Sequence, residues 1–348
     1  MGLFNDRKKT TAGKTQVPVW FMRQAGRYHA HYQNIKKNSD FMSMCKTPEL
    51  ACEITMGPIE EFNFDAAILF SDLLFPLEQL NLGLSYHTGP PTLEKKLSST
   101  DLISTLKKTA DAQTFYKFQA DALTLLKKKL PQDKTLLGFV GGPWTLYTYA
   151  VEGSHAGNLT DSKLGLYDGR FQGFMEILLP ELIENMRIQA HGGADAMCIF
   201  DTAVGELTHQ DFVEVYLPVL RTVTKEFKKS FPTKKIIYYS KLTHLHYLKA
   251  IEDEHIDVLG IDWRNDLAAT LKELGNDYYI QGNFDPSYLH LPWPLLEKKL
   301  NFFWQQLADK NLPLDKWICG LGHGVLQRTP ESNVRDAIKY IHENFQYT

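Results

Sequence analysis

Eight short apolar runs, rich in β-branched or aromatic residues, alternate along this chain with longer amphipathic stretches. Runs of that length read as buried strands and the stretches between them as helices. The runs cover 17–22, 65–70, 136–140, 195–200, 235–239, 258–261, 278–281 and 317–319. A helix begins at Thr47-Pro48-Glu49, where a threonine cap precedes proline at the first helical position. Further helices are predicted at about 101–130, 170–190, 208–229, 244–252, 266–274, 293–309 and 331–344, the last capped by Thr329 or Ser332. Strands alternating with helices eight times over predict an α/β fold: a single (β/α)8 TIM barrel with its active-site cleft at the C-terminal ends of the strands. The runner-up is a doubly wound open sheet. No strand leads into a clear G-x-G-x-x-G turn, and Gly141-Gly142-Pro143 reads only as a tight turn before a helix.

A chain of 348 residues suits one large domain or two ordinary ones, and 43% hydrophobic with 23% charged residues is the balance of a globular protein with a sizeable core. The barrel is expected to span 17–348, after a polar, mobile tail over 1–16. That tail has no apolar segment resembling a secretory signal, so the cytoplasm is the expected compartment. No apolar run approaches the roughly 18 residues of a membrane span. A net charge of −3 gives no support for a nucleic-acid surface. The four cysteines, Cys45, Cys52, Cys198 and Cys319, form no C-x-x-C pair, so neither a zinc knuckle nor a redox dithiol is indicated.

Chemistry-bearing residues follow almost every predicted strand. Arg23 and Arg27 follow the first, Ser71 and Asp72 the second, and Tyr149 lies in the helix after the third. Asp201 and Thr202 follow the fourth, Ser240 and Lys241 the fifth, Asp262 the sixth, Asn283 and Asp285 the seventh, and His323 the eighth. In a barrel these positions converge on one pocket. Arg23 and Arg27 flank Gln24, Ala25 and Gly26, so small residues let the backbone approach a ligand while two guanidinium forks grip carboxylates or phosphates. Taken singly, each residue has a plainer reading. The arginines could pair with structural carboxylates, Asp72 could cap a helix, Tyr149 could be a core aromatic, and Thr202 could serve a turn. Asp262-Trp263 and Asn283-Phe284-Asp285-Pro286 read better as turns and barrel rim than as ligands.

Several blocks resemble the uroporphyrinogen decarboxylase family: Met22-Arg23-Gln24-Ala25-Gly26-Arg27-Tyr28, Phe70-Ser71-Asp72, and Gly142-Pro143-Trp144-Thr145-Leu146 running to Tyr149. They continue in the same order with Phe200-Asp201-Thr202, Gly260-Ile261-Asp262-Trp263, Gln281-Gly282-Asn283-Phe284-Asp285-Pro286 and Gly322-His323-Gly324. The resemblance spans about residues 17 to 344. It implies a cofactor-free, metal-free, homodimeric carboxy-lyase of haem biosynthesis. Such an enzyme removes CO2 from the four acetate arms of uroporphyrinogen III to give coproporphyrinogen III. It also implies that Asp72, Arg23 and Arg27 are catalytic and that Arg23, Gln24, Ala25, Gly26, Arg27, Asp72, Tyr149, Thr202 and His323 bind the tetrapyrrole. The chemistry suits these residue types, because a protonated pyrrole is its own electron sink and a carboxylate beside the ring nitrogens would stabilise it.

The chain departs from that family's pattern in places. His29-Ala30-His31 stands where Leu-Pro-Glu is usual, and the basic residues often seen just after are weakened to Gln33 and Lys36. Losing the proline frees a dihedral and predicts a looser loop. Gly57-Pro58-Ile59-Glu60-Glu61 replaces Gln-Pro-x-Arg-Arg, a reversal of charge, while Ala203 and Gln327 replace an aromatic and a proline. Two other functions compete. A zinc- or corrinoid-linked methyltransferase of the same superfamily would need a His-x-Cys pair near the fifth strand, where this chain has Tyr239-Ser240-Lys241-Leu242. A non-catalytic tetrapyrrole-binding protein would keep the pocket without turnover.

Overall fold

The computed structural model describes residues 2–4, 7–11, 13–86, 90–308 and 310–348. Seven strands, Ala66–Ile68, Thr135–Gly141, Ala196–Asp201, Lys235–Ser240, Val258–Gly260, Tyr279–Phe284 and Trp317–Leu321, lie side by side in chain order, every neighbouring pair parallel. Each matches a predicted run to within a few residues. Helices such as Pro48–Phe62, Arg170–Gly192 and Glu331–Asn344 cover the outside.

The first predicted run, 17–22, forms no regular strand and closes the ring as a hydrogen-bonded segment. Cys319 N–H donates to Pro18 O at 2.9 Å, and Trp20 N–H donates to Cys319 O at 3.0 Å. On its other side Asp65 N–H donates to Val19 O at 3.0 Å, while Val19 N–H donates to Asp65 Oδ2 at 2.8 Å. Proline explains the shortened ladder, since Pro18 has no N–H to give. A side chain therefore does part of the work of a strand edge at this seam. Asp65 also meets His342 Nε2 at 2.8 Å and Lys134 Nζ at 3.6 Å, all largely buried. Burial pushes the Asp65 carboxyl up, but His342, Lys134 and the Val19 N–H outweigh it and hold it below the usual carboxylate range.

Side chains alternate across the sheet, as the pleat requires. Ala66 and Ile68, Leu137 and Phe139, Ala196, Cys198 and Phe200, and Ile237 and Tyr239 fill the barrel interior, and the residues between them pack under the helices. The interior cluster includes Leu3, which is fully buried and whose N–H donates to Thr135 Oγ1 at 3.0 Å. Arg7 Nη1 donates to Leu314 O at 3.1 Å and to Tyr347 Oη at 3.2 Å, and Thr15–Gln16 pairs antiparallel with Gln346–Tyr347. The boundary drawn after residue 16 thus does not mark a detached tail. Its described part seats on the N-terminal end of the barrel and stoppers it. The apolar pair Leu3-Phe4 is too short to carry a periodic signal, so pattern alone could not find it.

Some helix expectations need correction. The span 101–130 is three pieces, Thr100–Ile103, Ala112–Phe115 and Lys117–Lys129, because Asp111 caps a new start by accepting from Thr114 N–H. Thr47 stands at its helix cap without a side-chain cap bond, and at the last helix the cap position is Pro330, with Thr329 turned to His290. None of the helices among the described residues is long and apolar enough to cross a membrane.

Candidate active site

The first loop leaves the barrel through Arg23, whose backbone is left-handed at φ 60°. A residue with a Cβ adopts that region only when its surroundings enforce it. They do so here from several sides. Gln24 N–H donates to Phe21 O at 3.2 Å, Val325 N–H donates to Met22 O at 2.9 Å, and Tyr28 Oη donates to Gln24 O at 2.8 Å. A Cβ at Gly324 would lie 2.4 Å from Arg23 Cδ, so the arginine stem rests on that glycine. A Cβ at Gly26 would lie 3.2 Å from Arg23 O, which favours the small residue there. Gln24 is buried and donates to Ala66 O at 2.9 Å, so it anchors the loop, and Ala25 packs on the cluster around Tyr32 and Ile54.

Arg23 itself is exposed at the mouth. Its charge acts on Asp72, Tyr149, His155, Tyr239 and His323, all carried at or just past the C-terminal ends of the strands. Asp72 Oδ1 accepts from Leu74 N–H at 2.7 Å. Burial pushes the Asp72 carboxyl up; the Tyr86 hydroxyl, the Leu74 N–H and Arg23 pull it down, and it stays above the ordinary value. Tyr86 lies just past a two-residue strand, Leu84–Ser85, and burial together with Asp72 pushes its phenol well up. Nothing in the sequence pattern marked Tyr86.

Tyr149 rides on helix Pro143–Glu152. Buried Asp201 fixes the start of that helix, accepting from Trp144 N–H at 3.2 Å, Thr145 N–H at 2.7 Å and Thr145 Oγ1 at 2.6 Å. Tyr216 Oη donates to the same carboxylate at 2.5 Å, so Asp201 is a structural bracket. Thr202, next in the chain, is half-buried, and no side-chain hydrogen bond engages it among the described residues. The Tyr149 hydroxyl lies 2.6 Å from His155 Nδ1, and burial with Asp72 pushes its pKa up to about 12. Burial, Arg23 and Lys241 push His155 down. This histidine was also missed, since a lone histidine in a Gly-Ser-rich turn carries no pattern.

His323 is half-buried, and its Nδ1 lies 3.3 Å from Tyr239 Oη, which donates its one proton to Gly322 O at 2.8 Å. The tyrosine oxygen can then only accept, which assigns the proton to Nδ1 and leaves Nε2 with a lone pair. Burial, then Arg23, Lys241, His155 and Arg264, bring the His323 pKa down to about 3. Arg27 is exposed and stands further out; its charge acts on Tyr32, whose neighbour Cys45 is in turn near Asp72. Most other strand-end polar residues are tied into the scaffold. Ser71 Oγ accepts from Gln119, Asp262 accepts from Leu242 N–H and Arg264, and Asn283 donates to Asp262 O and Asn265 O.

The unusual residues at 29–31 and 57–61 face each other. Buried His29 Nε2 lies 2.7 Å from Glu61 Oε2 and 3.3 Å from Glu331 Oε1, with Arg335 on the other Glu61 oxygen. A Cβ at Gly57 would lie 2.5 Å from His31 Cδ2. The loop expected to be looser without its proline is instead clasped to two helices.

Fold and site together define a (β/α)8 barrel with a charged mouth at the C-terminal ends of its strands, the end at which barrel enzymes carry their chemistry. A family profile described as uroporphyrinogen decarboxylase (URO-D) matches residues 7–344. A uroporphyrinogen decarboxylase of Helicobacter pylori (strain G27) is 36% identical over 333 residues, 94% of each chain. One from Tolumonas auensis is 33% identical, covering 94% of this chain and 92% of its own. The chain belongs to the uroporphyrinogen decarboxylase family. Among solved structures, a methyltransferase from Methanosarcina mazei superposes with a TM-score of 0.71 over 94% of both chains at 14% identity, which speaks to the fold alone.

Proposed function

We propose that this protein is a uroporphyrinogen decarboxylase. The observation that carries the reading is Asp72, a half-buried carboxylate just past its strand that feels the charge of Arg23. Uroporphyrinogen carries eight carboxylates and four pyrrole N–H groups. Arg23, and Arg27 further out, offer guanidinium forks for its acid arms. Asp72 faces the ring nitrogens. When a pyrrole carbon takes up a proton, the ring becomes cationic. The acetate C–C bond then breaks, CO2 leaves, and its electron pair flows into that ring. A proton delivered to the exocyclic carbon completes the methyl group, and loss of the ring proton restores the pyrrole. Asp72 is positioned to stabilise the transient cation, an effect of roughly 3–4 kcal/mol in comparable preorganised sites. Neutral His323 presents an acceptor at Nε2, while Tyr149 and Thr202 supply hydroxyls. The ring is its own electron sink, so the reading calls for no cofactor or metal.

The same reading assigns the protein to the cytoplasm as a homodimer, with light scattering on a sizing column as the check of the latter. The decisive experiment is anaerobic incubation of the purified protein, with nothing added, and the eight-carboxylate porphyrinogen. Chromatography of the oxidised products is expected to reveal intermediates with seven, six and five carboxylates before the four-carboxylate product. An unchanged carboxylate number would overturn the enzyme reading and leave a tetrapyrrole carrier.

A further inference from the structure

Lys241 stands at the C-terminal end of strand Lys235–Ser240, on the same rim as Arg23. Its backbone is set firmly. The next residue, Leu242, is left-handed at φ 64°, and its N–H donates to Asp262 Oδ2 at 2.9 Å. A Cβ at Gly205 would lie 2.2 Å from Lys241 O, so this turn presses on the turn that follows Thr202. Both Arg23 and Lys241 are thus presented by left-handed, non-glycine turns, a conformation that clusters at ligand clamps.

The side chain of Lys241 has no such anchor. It is half-buried, and no hydrogen bond or ion pair engages it among the described residues. The neighbouring rim cation, Arg264, differs. It meets Asp262 Oδ2 at 2.8 Å and stacks 4.4 Å over the Trp263 ring. The charge of Lys241 reaches His155 and His323, and so does that of Arg23. Both cations thus act on both imidazoles; Arg23 also faces the Asp72 carboxylate, whereas among the described residues Lys241 forms no ion pair.

We propose that Lys241 is a substrate-binding residue, holding a carboxylate of the tetrapyrrole at a subsite beside His155 and His323 that is separate from the one served by Arg23. The proposal rests on the tetrapyrrole reading. An unpaired, partly desolvated ammonium is a standing demand for an anion. Lysine suits a ring that must be gripped repeatedly as its acetate arms become methyl groups. A point charge on a flexible stem accepts carboxylates at several angles, whereas a planar guanidinium fork prefers one.

The test compares the wild type with K241Q and K241R. Tryptophan fluorescence quenching measures binding of the eight-carboxylate porphyrin and of the four-carboxylate one, each at low and moderate salt. K241Q is expected to weaken binding of the eight-carboxylate ring by about tenfold or more, and K241R to restore most of it. In turnover KM is expected to rise while kcat stays within about threefold. A second readout needs no substrate. Removing this cation raises the histidine pKa values that it depresses, so the His155 ring resonance titrates at higher pH in K241Q. Unchanged affinity in K241Q, with the wild type binding normally, overturns the subsite. A wild type that binds no carboxylated tetrapyrrole overturns the functional reading first, and the subsite falls with it.

Discussion

Replacing Asp72 by asparagine separates charge from shape. The amide keeps an oxygen for the Leu74 N–H, now 2.7 Å from Oδ1, so the turn after the strand survives. What disappears is one negative charge in a mouth already crowded by Arg23. Two unit charges about 4 Å apart interact by about 4 kcal/mol at an effective dielectric of about 20. That agrees with the roughly 3–4 kcal/mol lost when a single preorganised stabiliser is removed, or about 10²–10³-fold in kcat. The assay is the initial rate of carboxylate loss under anaerobic conditions, with KM expected to change much less than kcat. A control confirms that the charge was removed where intended: Asp72 helps push the Tyr149 phenol up to about 12, so phenolate absorbance in the variant appears at lower pH. The acid limb tells the same story. Asp72 sits above the ordinary carboxylate value, so on lowering pH the wild type loses activity earlier than an ordinary carboxylate would dictate, and the variant lacks that limb. A variant with shifted Tyr149 titration but kcat within about threefold of the wild type would refute the role of the charge.

Other outcomes follow from single contacts. Asp65→Ala leaves Lys134 buried without its carboxylate and opens the seam at Val19, so urea unfolding is expected to show a loss of about 3–5 kcal/mol; less than about 1 kcal/mol would remove the argument. The Asp65 folded pKa lies below its unfolded value, so its contribution is full above the unfolded pKa and is lost as pH falls through the folded one; Asp65→Asn flattens that acid limb. Gly324→Ala puts a methyl 2.4 Å from Arg23 Cδ and displaces the guanidinium, with kcat/KM expected to fall by about tenfold or more while far-ultraviolet dichroism stays unchanged. His323, depressed to about 3, stays neutral through the working range, so its ring resonances are expected to be flat between about pH 5 and 8; a midpoint near 6.5 would contradict the burial argument. For stability the sign is that its contribution is complete above the unfolded value of about 6.5 and drains away below it.

The barrel was legible because its strands are buried on both faces, which makes each a short, dense apolar run. Seven of those runs became strands; the first did not, because Pro18 cannot donate and Asp65 substitutes a side chain for backbone. The rim was legible by position, and the structure sorts it by hydrogen bonding. Asp201, Asp262 and Asn283 spend their polar atoms on the scaffold, while Asp72, Tyr149 and His323 all feel the charge of Arg23. Gln24 resembles the second group in sequence, yet its amide points inward to Ala66. Tyr86, His155 and Leu3 escaped notice for one reason. Each is a single residue brought in by a turn or a chain end, and periodicity is blind to anything that occurs once.

The closure through Pro18–Trp20 has a consequence for how the molecule is made. Val19 emerges from the ribosome early and waits for Cys319, three hundred positions later, before its bridge can form. Contacts so distant along the chain assemble slowly. Until then the nascent sheet has two raw margins able to pair with any neighbouring polypeptide. A translation product that stops before Trp317 never acquires its clasp, so premature termination near the end of the message is expected to yield sticky debris in place of a slightly shortened catalyst.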